Sequence, residues 1–195
     1  MGLKLNAANG GGSVELDVPS TVNSDISLTL PATDGAAEQV LKTNGSGTLD
    51  WVSRGVLQIA QDTHDTMISS NSTAWVSCGA SVAFDIVKAN SKCLVNAHTS
   101  LQGAISAAGR ARLRLRRTVG STTTTIVEAA EALVDYGQGG VHLQGAGFTF
   151  LDTHGVGTAG TQITYHLEVS CNNTNGPVAV NNNGITLITV MEVDG

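Results

Sequence analysis

The sequence predicts an all-β chain, with an extended N-terminal stem followed by an antiparallel β-sandwich, and three observations support this. Apolar and polar residues alternate with period two in many short runs, turns rich in Gly and Asn separate those runs, and large aromatic side chains are scarce. The 195 residues are 41% hydrophobic but only 4% aromatic and 13% charged, with 23 glycines. The core must therefore come from Val, Leu, Ile and Ala, while Ser, Thr, Asn and Gly carry much of the solvation.

Composition shifts near Trp51, which divides the chain into a stem over residues 1–54 and a β domain over 55–195. In the stem, Val14, Leu16 and Val18 fall on one side of a short strand, with Ser13, Glu15 and Asp17 on the other. Ile26 to Leu30 repeats the pattern until Pro31. Asp34 to Leu41 has the composition of a helical turn or two, "TNGSG" then provides a turn, and Leu49 to Val52 is extended again. Strands this short build no independent core; a stem of this kind is stable when several chains bury its apolar sides together.

In the second region, the expected strands are Gly55 to Ala60, Thr73 to Cys78, Ser81 to Phe84, Cys93 to Thr99, Arg110 to Thr118, Thr124 to Leu133, Val141 to Phe150, Gln162 to Cys171 and Ile185 to Glu192. Their number and turn-rich spacing fit a sandwich or barrel. The closing strand is apolar on both faces, as expected if it is covered twice, once by the core and once by another subunit.

Several function classes are excluded. A formal net charge of −6 from 10 basic and 16 acidic residues leaves no general basic footprint for nucleic acid. Cys78, Cys93 and Cys171 lack metal-ligand or CxxC spacing and read as buried apolar residues. No run reaches the ~18 apolar residues of a membrane span, and Met1 to Leu16 lacks the basic start and apolar run of a signal peptide. The expected product is made in the cytosol and needs no cofactor. Nucleophile-elbow, HExxH, Walker, EF-hand and dinucleotide patterns are all missing, so the expectation is a non-enzyme. A polysaccharide-degrading enzyme, using paired carboxylates such as Glu128 and Glu131, is the lesser alternative.

The segments "GGGSVELDVP", "DISLTLPATDGAAEQVLKTNGSGTLDWV" and the terminal "ITLITVMEV" resemble bacteriophage tail-fibre and related virion fibre proteins, particularly those of phages infecting cyanobacteria. The resemblance implies a homotrimer on the virion. Its N-terminal segment would attach to other virion proteins, and its jelly-roll-like domain would point outward, in reach of a host-surface glycan. The stem is short for a long fibre, so a compact spike, a collar or head fibre, and a capsid-decoration protein stand as alternatives.

Among candidate functional residues, the run Arg110 to Arg117 concentrates five of the ten basic residues in eight positions. Period-two geometry puts Arg110, Arg112, Arg114 and Arg116 on one side, opposite Ala111, Leu113 and Leu115. Such a stripe either pairs with carboxylates within or between chains, with Glu128, Glu131, Glu168 and Glu192 as candidates, or recognises an anionic partner. Trp75 and Tyr136 are the aromatic candidates for stacking against a sugar. Asp62-Thr63-His64 and Asp152-Thr153-His154 place two metal-ligand types at i and i+2, but two ligands make no structural metal site, and none is expected. The Gly- and Asn-rich segments 136–140, 153–160, 172–177 and 181–184 read first as tight turns.

Overall fold

The computed structural model describes residues 3–17, 19–70, 72–103, 111–132, 143–171, 178–181 and 184–195. They fall into two compact units, Met1–Val52 and Ser53–Gly195, and the described residues contain strands but no helix.

In the N-terminal unit, β1 (Leu3–Asn6) and β2 (Ser13–Leu16) form an antiparallel hairpin in which Leu3 pairs with Leu16 and Leu5 with Val14. Side chains of directly paired residues share a face, so these four make one apolar row, 55–66% exposed. β3 (Gln39–Thr43) and β4 (Leu49–Ser53) form a second two-stranded sheet. Their turn is fixed by Asn44, whose Oδ1 accepts from the amides of Ser46 at 2.8 Å and Thr48 at 3.2 Å. The expected strand Ile26 to Leu30 does not form; the segment makes one isolated bridge, Thr29 to Thr48. With no partner strand along its length, Ile26, Leu28 and Leu30 remain 61–72% exposed.

The helical turn expected over Asp34 to Leu41 does not form. Gly35 and Glu38 both have positive φ, 78° and 66°, and Gln39 closes a turn by donating to the Ala36 carbonyl at 3.3 Å. A helix that short has too few hydrogen bonds to offset its nucleation cost, and Val40 and Leu41 join β3 instead. Gly35 is needed for space as well: a Cβ there would lie 2.7 Å from the Trp51 ring, which is held by its Nε1 donating to the Thr33 carbonyl at 2.9 Å. None of the described residues from 3 to 52 is buried.

The C-terminal unit is a two-sheet antiparallel sandwich. It contains β5 (Val56–His64), β6 (Ile68–Ser70), β7 (Val76–Asp85), β8 (Lys92–Gly103), β9 (Ala111–Val119), β10 (Thr122–Ala132), β11 (Leu143–Asp152), β12 (Gln162–Cys171), β13 (Val178–Val180) and β14 (Thr186–Val193). One sheet has the order β10-β9-β12-β7. In the other, β5-β14-β8 continues to β11, while β13 and β6 extend the lines of β14 and β5 beyond Leu101. With the two short strands set aside, the eight long strands pass between the sheets in the order of a jelly roll.

The two sequence runs around Cys78 and Ser81 are one strand, not two. Between the pairs Ser77–Glu168 and Ser81–His166 the register shifts, and Gly79, at φ 98°, carries the bulge without breaking the strand. Its missing side chain also makes room for His64, whose Cδ2 would lie 2.0 Å from a Cβ. The core between the sheets includes Val82, Leu113, Leu115, Ile163, Leu167, Val95, Ile188 and Val190, each at most 3% exposed, and all three cysteines are free and buried there. Burial pushes the Cys78 and Cys171 thiols up and the Cys93 thiol to about 11, so all three stay protonated packing groups near neutrality.

Candidate functional site

Strand β9 presents two different surfaces because its sequence alternates Ala, Leu and Arg. Ala111, Leu113 and Leu115 lie in the core at 0–1% exposure, while Arg112, Arg114 and Arg116 emerge half-buried on the outer face of the β10-β9-β12-β7 sheet. The register aligns Arg114 with Glu168 on β12 and Glu128 on β10, and Arg116 with His166.

The Arg114 Nε donates to the Glu168 Oε2 at 2.5 Å, and Arg116 Nη1 lies 3.5 Å from the same oxygen. His166 Nε2 stands 3.3 Å from the other oxygen. The Arg112 Nε donates to the Ser170 hydroxyl at 3.1 Å. Trp75, half-buried just before β7, sits against two guanidinium groups, with Arg114 Cζ 4.3 Å and Arg112 Cζ 5.1 Å from a ring centroid. These are cation–π distances. Bonds at Nε and contact with the indole hold the Arg112 and Arg114 guanidiniums in place. Such a face can present a fixed cationic edge to a carboxylate, sulfate or phosphate.

Of the carboxylates considered from the sequence, Glu168 meets the stripe directly and Glu128 lies in register beside it, exposed. The Glu131 side chain, Arg110 and Tyr136 lie outside the described residues, as do segments 137–140 and 172–177. Glu192 is elsewhere. Fully buried on β14, it accepts from the Ser91 hydroxyl at 2.6 Å, Gln58 Nε2 at 2.5 Å, and the amides of Val87 at 2.9 Å and Lys88 at 3.0 Å. Burial alone would push its carboxyl up; the bonds from Ser91, Val87, Lys88 and Gln58 outweigh this and leave it below the ordinary carboxylate value.

A second buried carboxylate, Asp152, accepts from Arg117 Nη1 at 2.7 and 2.8 Å and from the Tyr165 hydroxyl at 2.6 Å. The adjacent His154 accepts from the Val156 amide at Nδ1, 3.0 Å away, and its Nε2 is 3.3 Å from the Ser91 hydroxyl. Ser91 spends its one proton on Glu192, so the His154 Nε2 carries the donor hydrogen and the ring is neutral. Burial lowers its pKa, with Asp152 partly opposing. Asp62 likewise serves the backbone, accepting from the Ser81 amide at 2.8 Å. Neither Asp-Thr-His run converges on a third ligand, and the described residues contain no group of three metal-ligating side chains.

Sequence reasoning missed the interior role of Arg117. The signal was present in the parity of β9, because Arg117 shares the core side with Leu113 and Leu115. Its partner Asp152, 35 residues away, was not visible without the fold.

No family model matches the chain, and no curated protein matches it. Among solved structures, it is similar to VP2 of infectious bursal disease virus. The subviral-particle form shares 14% identity at a TM-score of 0.40, over 97% of this chain and 46% of that one. The Gt-strain structure shares 16% identity at 0.39, over 97% and 46%. This chain spans a little under half the length of those proteins. The jelly-roll assignment rests on the strand order itself.

Proposed function

We propose that the chain is a virion structural protein forming a short homotrimeric fibre or spike, with its N-terminal unit as the assembly and attachment element and its jelly roll as the outward domain. The observation that carries the reading is the N-terminal unit itself. It places Leu3, Leu5, Val14 and Leu16 in one row and leaves Ile26, Leu28 and Leu30 exposed in a second apolar segment, without burying any described residue. Apolar surfaces of this size are stable when covered, and symmetric copies of the same surface cover one another. The sequence resemblance to virion fibre segments supplies the setting.

In this reading the Arg112–Arg114–Arg116 face with Trp75 contacts an anionic host-surface glycan. Three copies raise avidity without a strong single site. The role is noncatalytic: Glu168, the carboxylate at the centre of the face, is taken up by Arg114 and Arg116. Immunogold labelling of purified virions with antiserum against the chain tests the placement. Label on tail or spike supports the reading, label over the shell or head supports a decoration or head-fibre role, and unlabelled particles contradict both.

A further inference from the structure

The two sheets of the sandwich have different outer faces. That of β10-β9-β12-β7 is charged. The outer face of β5-β14-β8-β11 carries an apolar row straight across four strands, because the register pairs Ile59 with Met191, Met191 with Leu94, and Leu94 with Leu151. Ile59 is 62% exposed and Leu151 48%; Met191 and Leu94 are partly exposed between them. The next row on the same face, Gln61, Thr189, Asn96 and Thr149, is polar and uncharged. Among the described residues of this face, Lys92 is the one cation of fixed charge and there is no carboxylate.

We propose that this outer face is a contact surface between copies of the chain. The inference rests on the self-association reading above and adds a second interface, in the C-terminal unit. Charge selects the occupant. Each copy carries a net charge of −6, so copies repel one another through most surfaces, whereas this face brings no carboxylate against its like and desolvates few charges. Strands ~4.8 Å apart and same-face rows ~6.8 Å apart give four strands and five rows a flat footprint of about 650 Å². With side-chain relief, this is the scale of the ~800 Å² per partner in a standard protein interface. Copies gathered by the N-terminal rows meet at high effective concentration, so the face need not be strong by itself.

The test is sedimentation of the full chain over a concentration series, comparing the wild type with the double variant Ile59→Glu/Leu151→Glu and with Arg114→Glu on the opposite sheet. The expected result is an oligomeric wild type, a shift of the double variant's dissociation midpoint to at least tenfold higher concentration with unchanged circular dichroism, and no shift for Arg114→Glu. An oligomeric wild type with an unshifted double variant overturns the inference and leaves the self-association reading standing. A monomeric wild type overturns both. If the glutamates impair folding, Ile59→Thr/Leu151→Thr keeps strand-forming residues and the same row, and an unshifted midpoint in that variant overturns the inference equally.

Discussion

The two units of the chain use the same alternation of residues with opposite results. In the C-terminal unit Leu113, Leu115 and Leu167 lie at 0–1% exposure, whereas in the N-terminal unit Leu3, Leu5 and Leu16 stand at 55–64%. Period-two alternation decides which face of a strand a side chain occupies; it does not supply the second layer that buries the face. The jelly roll supplies that layer from its own chain. The N-terminal hairpins are single two-stranded sheets, marginal in water alone, and in the proposed assembly their apolar rows would acquire a second layer from other copies.

This contrast predicts a large difference between two matched substitutions. Leu115→Ala should lower the denaturant-measured stability of the C-terminal unit by about 3–4 kcal/mol, the range for a buried leucine. Leu5→Ala should leave that same transition within about 0.5 kcal/mol but reduce the solution mass. Equal losses of stability from the two would mean that Leu5 is already buried within one chain.

The next effect separates two arginines of one strand. Arg117→Ala leaves the Asp152 carboxylate buried beside Tyr165 without its cation, and should cost about 3 kcal/mol. Arg114→Ala removes a partly solvated pair with Glu168 and should cost about 1 kcal/mol or less, falling further in high salt. Urea titrations at low and high salt read both values.

Acid should have a smaller and graded effect. His154 and Glu192 both have folded pKa values below their unfolded ones, so the unfolded chain binds more protons in the intervening pH window, and stability rises with pH there. The contribution from His154 is present above about pH 6.5 and is lost as the pH falls below it; that from Glu192 follows below about 4.5. Thermal midpoints measured from pH 7.5 down to 2.5 should therefore fall in two steps, and His154→Gln should remove the upper one.

Much of the sandwich was legible because its strands are strongly patterned. The Arg/Leu alternation of β9 and the apolar faces of β14 survive intact in the structure. The bulge at Gly79 was not legible, since a glycine that breaks a strand and one that bends it look alike in sequence. β6 and β13 have three residues each, too few for a period to register. The interior positions of Glu192 and Arg117 were not read from the sequence, although strand parity carried a signal for both; the donors around Glu192 come from a loop about 100 residues earlier, and only the fold brings them together. The outer stripe of Arg112, Arg114 and Arg116 was legible as a face, and the capping indole of Trp75 was not, because their meeting depends on β12 lying between β7 and β9.

The central claim is that the N-terminal unit obtains its buried surface from other copies. Sedimentation equilibrium of the untagged full chain tests it most directly. The account predicts a concentration-stable species of about 60 kDa, three times the 19.9 kDa chain, which Leu5→Glu in the apolar row and Leu28→Glu in the second apolar segment each convert to smaller species. A wild-type mass of 19.9 kDa across the accessible concentration range would contradict it.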